Sequence, residues 1–236
     1  MTVRRPSYPC AHFVDALLRH LEAVGFAGAP RVLGYDNQGR QVLTFIDGTV
    51  PHLMPFNLSD EQLLSAAELV LAFHDAMATS PLCDGQEVVC HGDLGPHNTV
   101  FRGPRAVAII DWDSDVRPGR RADDFAHAVW CFADLTEAAV PVAEQARRTR
   151  LMCSAYPNMT PGIVVAELID RFQRAVTSTP RQDESGPPRS LTGSWAGWPP
   201  TVRSWQPPAE GSASGTLLTV RSGPKWLVHP FGRDAG

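Results

Sequence analysis

The stretch that decides the fold is His91-Gly92-Asp93-Leu94-Gly95-Pro96-His97-Asn98, followed by Thr99-Val100-Phe101. Two glycines and a proline keep this segment from running on as a helix, so it reads as a loop. Val88–Cys90 before it and Ala106–Ile110 after it are apolar runs that read as buried strands. Arg102-Gly103-Pro104-Arg105 offers a turn between Val100-Phe101 and the second run. The loop therefore holds a carboxylate, Asp93, and an amide, Asn98, between two strands rather than on a helix face.

Bulk properties narrow the classes. At 236 residues, with 43% hydrophobic and 19% charged side chains, the chain can bury a sizeable core. A net charge of −4 argues against a surface built for nucleic acid or anionic lipid. No apolar run approaches the roughly 18 residues of a membrane span, and MTVRRPSYPC lacks the apolar centre of a signal peptide. Five cysteines without a CxxC pair suit free thiols and a cytoplasmic location. Lys225 is the single lysine.

Outward from the loop, Phe13, Val14, Leu17, Leu18, Leu21 and Val24 have helical spacing over 11–24, with Gly25 as the stop. Pro30–Gly34 and Gln41–Ile46 read as strands around the turn Asp36-Asn37-Gln38-Gly39. Ser59-Asp60-Glu61-Gln62 is a capping box opening a helix that carries Leu63, Ala67, Val70, Leu71 and His74. Helices are expected over Ala122–Asp134, Glu137–Cys153 and, after a Thr160 cap, Pro161–Val176. Strands early and helices late give an α+β architecture. From Thr177 to Gly236 the chain is rich in Pro, Gly and Ser, which reads as disordered. Yet Trp195, Trp198, Trp205 and Trp226 lie there, leaving two readings: a docking tail, or sequence read in a shifted frame.

The chemistry follows from spacing. His-x-Asp-Leu-x-x-x-Asn has the spacing of a kinase catalytic loop. Phosphoryl transfer needs a carboxylate to take the proton of the attacking hydroxyl, and Asp93 can supply it. Asn98 can offer its side-chain oxygen to magnesium, which demands hard oxygen ligands. A second acid should lie nearby, and Ile109-Ile110-Asp111-Trp112-Asp113 puts Asp111 at a strand end. Asp113 falls on the same side by period-two alternation, as a metal-shell or capping residue. His91 is expected to hold the loop by hydrogen bonds. Against this stand polar turn residues capping a hairpin, or a His91, His97, Asp93 and Asp111 metal cluster in a hydrolase. Cys90 reads as a buried strand residue.

These segments, with Gly119 and Asp124-Phe125-Ala126, resemble the aminoglycoside phosphotransferase family of kinase-like small-molecule kinases. The resemblance spans about residues 3–176. It implies a protein-kinase-like two-lobed fold, with a truncated N-terminal lobe and hinge over 1–48 and a mostly helical catalytic lobe over 49–176. It implies ATP and Mg2+ as cofactors and a hydroxyl-bearing small molecule as acceptor, aminoglycoside-like or another small alcohol. Asp93 would be the catalytic base, Asn98 and Asp111 the metal ligands, and His91 and Asp124 the loop supports. Backbone groups of Phe45 and Ile46, in the hinge segment Leu43–Gly48, would meet adenine.

The chain departs from the family pattern in its N-terminal lobe. No glycine-containing phosphate hairpin precedes the first helix, and the strand that should carry the phosphate lysine reads Thr2-Val3-Arg4-Arg5-Pro6. Arg4 or Arg5 is the expected replacement, paired with Glu22 on the first helix. The alternative is a non-catalytic remnant that binds nucleotide weakly or not at all.

Overall fold

The computed structural model describes residues 1–7, 10–113 and 115–178, with side chains to residue 174. The reading of residues 179–236 lies outside the described residues.

The N-terminal part is a three-stranded antiparallel sheet, order β1-β3-β2, from β1 (Thr2–Arg5), β2 (Val32–Tyr35) and β3 (Gln41–Thr44). Its register sets Arg5 opposite Gln41 and Tyr35 opposite Gln41, so these three share one face. Helix α1 (Ala11–Ala23) turns Val14, Leu17, Leu18 and Leu21 into the core and ends before Gly25, whose φ of +79° suits glycine. Each such leucine, fully withdrawn from water, contributes roughly 1.5–3 kcal/mol of burial free energy.

Helix α2 (Asp60–Met77) opens with the expected box, in which Ser59 Oγ accepts from Gln62 N and Gln62 Oε1 accepts from Ser59 N. Its Leu63, Ala67, Val70 and Phe73 are buried, and it packs on the later helix Val142–Ser154 and on the strand Arg105–Ile109. Two short ribbons carry the polar segments: β4 (Val88–Cys90) with β7 (Arg117–Gly119), and β5 (Thr99–Arg102) with β6 (Arg105–Ile109). The rest is helical, from α3 (Arg121–Phe132) through α4 (Val142–Ser154) to α5 (Pro161–Ser178), which packs along α3.

One helix boundary differs from the sequence reading. The stretch Glu137–Pro141 is not helical, and α4 begins at Val142. Residues before a proline avoid helical backbone, and Pro141 sits at the N-cap. Gln145 folds its amide back onto the carbonyls of Asp134, Glu137 and Val140, satisfying a turn rather than a helix.

Candidate active site

Strand β4 is fully buried and delivers the 91–98 loop to the middle of the molecule. Gly92 has φ +86°, and a Cβ there would collide with the Asp115 carbonyl, so the loop can pass only with glycine. Asp124, on α3, accepts from the backbone N–H groups of His91 and Gly92, each at 2.9 Å. It also accepts from His74 Nε2 at 3.0 Å, while His74 Nδ1 meets the Tyr156 hydroxyl at 2.7 Å. Burial alone would raise the Asp124 carboxyl. The hydrogen bond and charge of His74, with the Gly92 amide, instead hold it well below the usual carboxylate range.

Within the loop, Asn98 donates Nδ2 to the Asp93 carbonyl at 2.9 Å and to Asp93 Oδ2 at 3.0 Å. His97 Nε2 stands 3.4 Å from Oδ2, and His127 Nε2, reaching from α3, stands 3.3 Å from Oδ1. A carboxylate can only accept, so each of these ring nitrogens carries its proton. Burial works to raise the Asp93 carboxyl, but hydrogen bonds from His127 and His97 overcome it and keep the group ionised. With both amide hydrogens of Asn98 engaged, its Oδ1 is left as an acceptor.

The second acid reaches the same place through backbone bonds. Ile110 N donates to Asn98 O at 2.9 Å, and His91 Nε2 meets Ile110 O at 3.0 Å. The His91 ring lies edge-on to buried Trp112, centroids 4.6 Å apart. Asp111, held between these anchors, has φ +63°, a conformation non-glycine residues adopt only where the surroundings enforce it. Desolvation by burial, and then the Asp113 carboxylate, raise the Asp111 carboxyl, with Arg5 opposing; its side chain remains 60% exposed, which screens the effect. The period-two relation of Asp111 and Asp113 does not hold. Strand β6 stops at Ile109 and left-handed Asp111 breaks the alternation. Asp113 Oδ1 caps Asp115 N at 3.2 Å.

From the sheet, Arg5 reaches this segment. Its Nε donates to Gln41 Oε1 at 2.6 Å, its Nη2 to the Trp112 carbonyl, and its Nη1 lies 3.8 Å from Asp111 Oδ1. Arg4 points elsewhere, to Asp36 at 3.7 Å. The expected Arg5–Glu22 pair does not form, because Glu22 faces Arg31 at 4.0 Å. In the hinge segment the Phe45 amide donates to Met1 O at 3.3 Å, and Phe45 itself is 43% exposed. Gly48, φ +149°, lies so close to Phe101 O and Val100 that a Cβ would stand 2.6 Å and 2.5 Å from them.

The chain has relatives. The model of the phosphotransferase enzyme family matches residues 78–160. The trifolitoxin immunity protein of Rhizobium leguminosarum bv. trifolii is 34% identical over 177 residues, covering 65% of this chain and 67% of that protein. The chain belongs to the phosphotransferase enzyme family. Solved structures with the same fold include a macrolide 2'-phosphotransferase from Brachybacterium faecium, TM-score 0.53, 14% identity, covering 75% of this chain and 76% of that one. An ADP-bound aminoglycoside phosphotransferase also has TM-score 0.53 and 14% identity, over 78% of this chain and 81% of that one. The fold is the kinase-like α+β fold expected from the sequence.

Several residues that shape the site of this phosphotransferase went unread in the sequence. His127 lies one helical turn after Asp124, so both project from the same side of α3 toward the loop, a spacing that could have flagged it. Gln41 and Asp15, behind Arg5, carry no local signal, since sheet register and helix placement bring them together. The same holds for Arg171 on α5, whose Nη2 donates to Gly92 O at 3.1 Å and whose Nη1 meets Asp123 at 3.5 Å.

Proposed function

We propose that this kinase-type enzyme transfers the γ-phosphoryl group of ATP to a hydroxyl of a small molecule, with residues 1–48 and 49–176 as its two lobes. The observation that carries the reading is the convergence of Asp93, Asn98 and Asp111 with Arg5. One ionised carboxylate is hydrogen-bonded to an amide whose oxygen is left over, and a second carboxylate stands under a fixed cation.

Asp93 orients the acceptor hydroxyl and takes its proton. Held ionised by His97 and His127, it is in the protonation state that a base requires. Asn98 Oδ1 and the Asp111 carboxylate are hard oxygen donors suited to magnesium. Burial, and after it the Asp113 carboxylate, raise the Asp111 carboxyl, and a cation beside it would offset both. Among the described residues no cluster of three or more His, Cys, Asp or Glu could hold a metal unaided. Asn98 and Asp111 would hold the ion together with the nucleotide phosphates. Magnesium, when bound, supplies neutralisation of the charge on the transferred group. Arg5 adds a second cation to those phosphates, and His91 and Asp124 keep the loop in register. Backbone groups of Phe45 and Ile46 receive the adenine, Phe45 through its carbonyl because its N–H is held by Met1 O.

For the acceptor, the relatives supply the class. The neighbours act on macrolides and aminoglycosides, and the relative of 34% identity is named for immunity to a toxin. A hydroxyl-bearing antibiotic or toxin is therefore the substrate to screen. The net charge of −4 speaks against nucleic acid or a membrane surface as partner. Among the described residues no helix is long and apolar enough to cross a membrane.

The deciding experiment is magnesium–ATP binding by calorimetry, on the parent chain and on Asp111→Ala. Binding that weakens on the order of tenfold or more in the variant supports the assignment. A folded parent that binds no nucleotide overturns it and leaves a non-catalytic remnant.

A further inference from the structure

We propose that Gln41, Asp15 and Tyr35 form a positioning relay that aims the Arg5 guanidinium at the nucleotide phosphates. The inference rests on the nucleotide reading above. The relay is continuous: Arg5 Nε donates to Gln41 Oε1 at 2.6 Å, Gln41 Nε2 donates to Asp15 Oδ1, and the Tyr35 hydroxyl donates to Asp15 Oδ2 at 2.8 Å.

Donor and acceptor chemistry fix the direction of every link. Arginine can only donate and an ionised carboxylate can only accept, so the amide between them has a single orientation. A glutamine is the one neutral side chain of that length that accepts on one side and donates on the other. Gln41 is 1% exposed, so a mispaired amide there would leave a buried polar group unsatisfied. The placement comes from register, since Arg5, Gln41 and Tyr35 lie side by side across β1, β3 and β2, with Asp15 above them on α1.

With Nε held by Gln41 and Nη2 by the Trp112 carbonyl, the fork has one orientation. Nη1 then faces Asp111 at 3.8 Å, too long for a hydrogen bond and open to a phosphate oxygen. Helix α1 thus acts on the cation through a neutral amide rather than through a carboxylate touching it. Glu22, the acid expected in that role, is paired with Arg31. A lysine at position 5 would carry its three N–H donors on one nitrogen, a point charge that does not span Gln41, Trp112 and phosphate as the planar fork does.

The test is magnesium–ATP affinity by calorimetry, with adenosine as the phosphate-free control and the thermal midpoint as the check on folding. Gln41→Leu is expected to weaken magnesium–ATP on the order of tenfold, to leave adenosine unchanged, and to add nothing in an Arg5→Gln background. Gln41→Glu is expected to be as weak, because two carboxylates then face each other. Asp15→Asn added to Gln41→Glu restores affinity, because the new amide donates where Gln41 had donated. Tyr35→Phe, a change at the sheet surface, gives a smaller loss in the same direction. Unchanged magnesium–ATP affinity in Gln41→Leu, or losses that add to those of Arg5→Gln, overturn the relay while the nucleotide reading stands. No magnesium–ATP binding by the parent chain overturns that reading and the relay with it.

Discussion

The buried imidazole of His127 stands 3.3 Å from Asp93 Oδ1, with its own affinity for a second proton lowered by burial. Neutral and protonated on Nε2, it is a hydrogen-bond donor to the carboxylate across the neutral range. Replacing Asp93 with Asn should abolish phosphoryl transfer, by on the order of 10²–10⁴ in kcat. The folded chain should keep its magnesium–ATP affinity. Single-turnover assays and calorimetry on one preparation check both halves, and an unchanged rate would remove Asp93 from the role of base.

The same contact predicts a pH profile. The Asp93 carboxyl lies below its ordinary 3.8 because donors from His127 and His97 outweigh burial. It therefore stays ionised throughout pH 5–8, and kcat/KM should show no acid limb from this group there. In His127→Phe one donor is lost while burial persists, so the carboxyl shifts upward, with Asn98 and His97 still donating to it. NMR titration of the Asp93 carboxyl should find it higher in the variant than in the parent, and an unmoved carboxyl would show that His127 does not hold the charge.

Asp124 predicts how stability depends on acid. Its folded carboxyl is depressed below the unfolded value of 3.8. Its contribution is therefore complete above about pH 4 and lost as pH falls toward the folded value. Asp124→Ala strands the His91 and Gly92 amides and His74 Nε2, and should cost roughly 3–5 kcal/mol. Urea unfolding of both chains at pH 7 and pH 3.5 reads this directly, and the gap between them should narrow in acid.

How much of this was legible in the sequence depends on the range of the interaction that fixes each feature. The 91–98 loop, the capping box at Ser59 and the three amphipathic helices are local, and periodicity or turn chemistry reveals them. The Asp111 turn was half legible. Its acid could be read, but not its left-handed backbone, which depends on His91 holding the Ile110 carbonyl from another strand. Arg5 could be chosen as a cation on its strand, yet its support on Gln41 is a matter of register across β1 and β3. Glu22 was misassigned for the same reason, since a helix face shows that an acid is present but not which arginine it meets. The α4 boundary failed because Gln145 satisfies three carbonyls that sequence reading spent on a helix.

Gly48 gives a prediction about the segment that follows β3. Thr49 and Phe101 exchange two backbone hydrogen bonds of 2.8 Å beside it, and its φ of +149° is closed to other residues. Gly48→Ala must push the chain off Phe101 and is expected to destabilise the protein by about 1–3 kcal/mol. Thermal unfolding measures this, and a change below a few tenths would mean that the segment is not held at Phe101.

Three of the five thiols are expected to be inert. Burial raises Cys90, pushes Cys131 up to about 12 and Cys153 up to about 11. At pH 8 none of the three has an appreciable thiolate fraction. Alkylation followed by peptide mapping should find them unmodified in the native chain and modified in urea. Labelling of native Cys90 would reopen it as a nucleophile.

The grip of Arg5 on the Trp112 carbonyl has a consequence for motion. The arginine belongs to the sheet and the carbonyl to the segment beyond β6, so the side chain joins the two like a tether. On the proposed nucleotide reading, separating these two segments to release spent nucleotide must stretch or break that contact. Arg5 would then set how slowly ADP escapes as well as how firmly ATP is held, tying turnover to the breathing of the two segments.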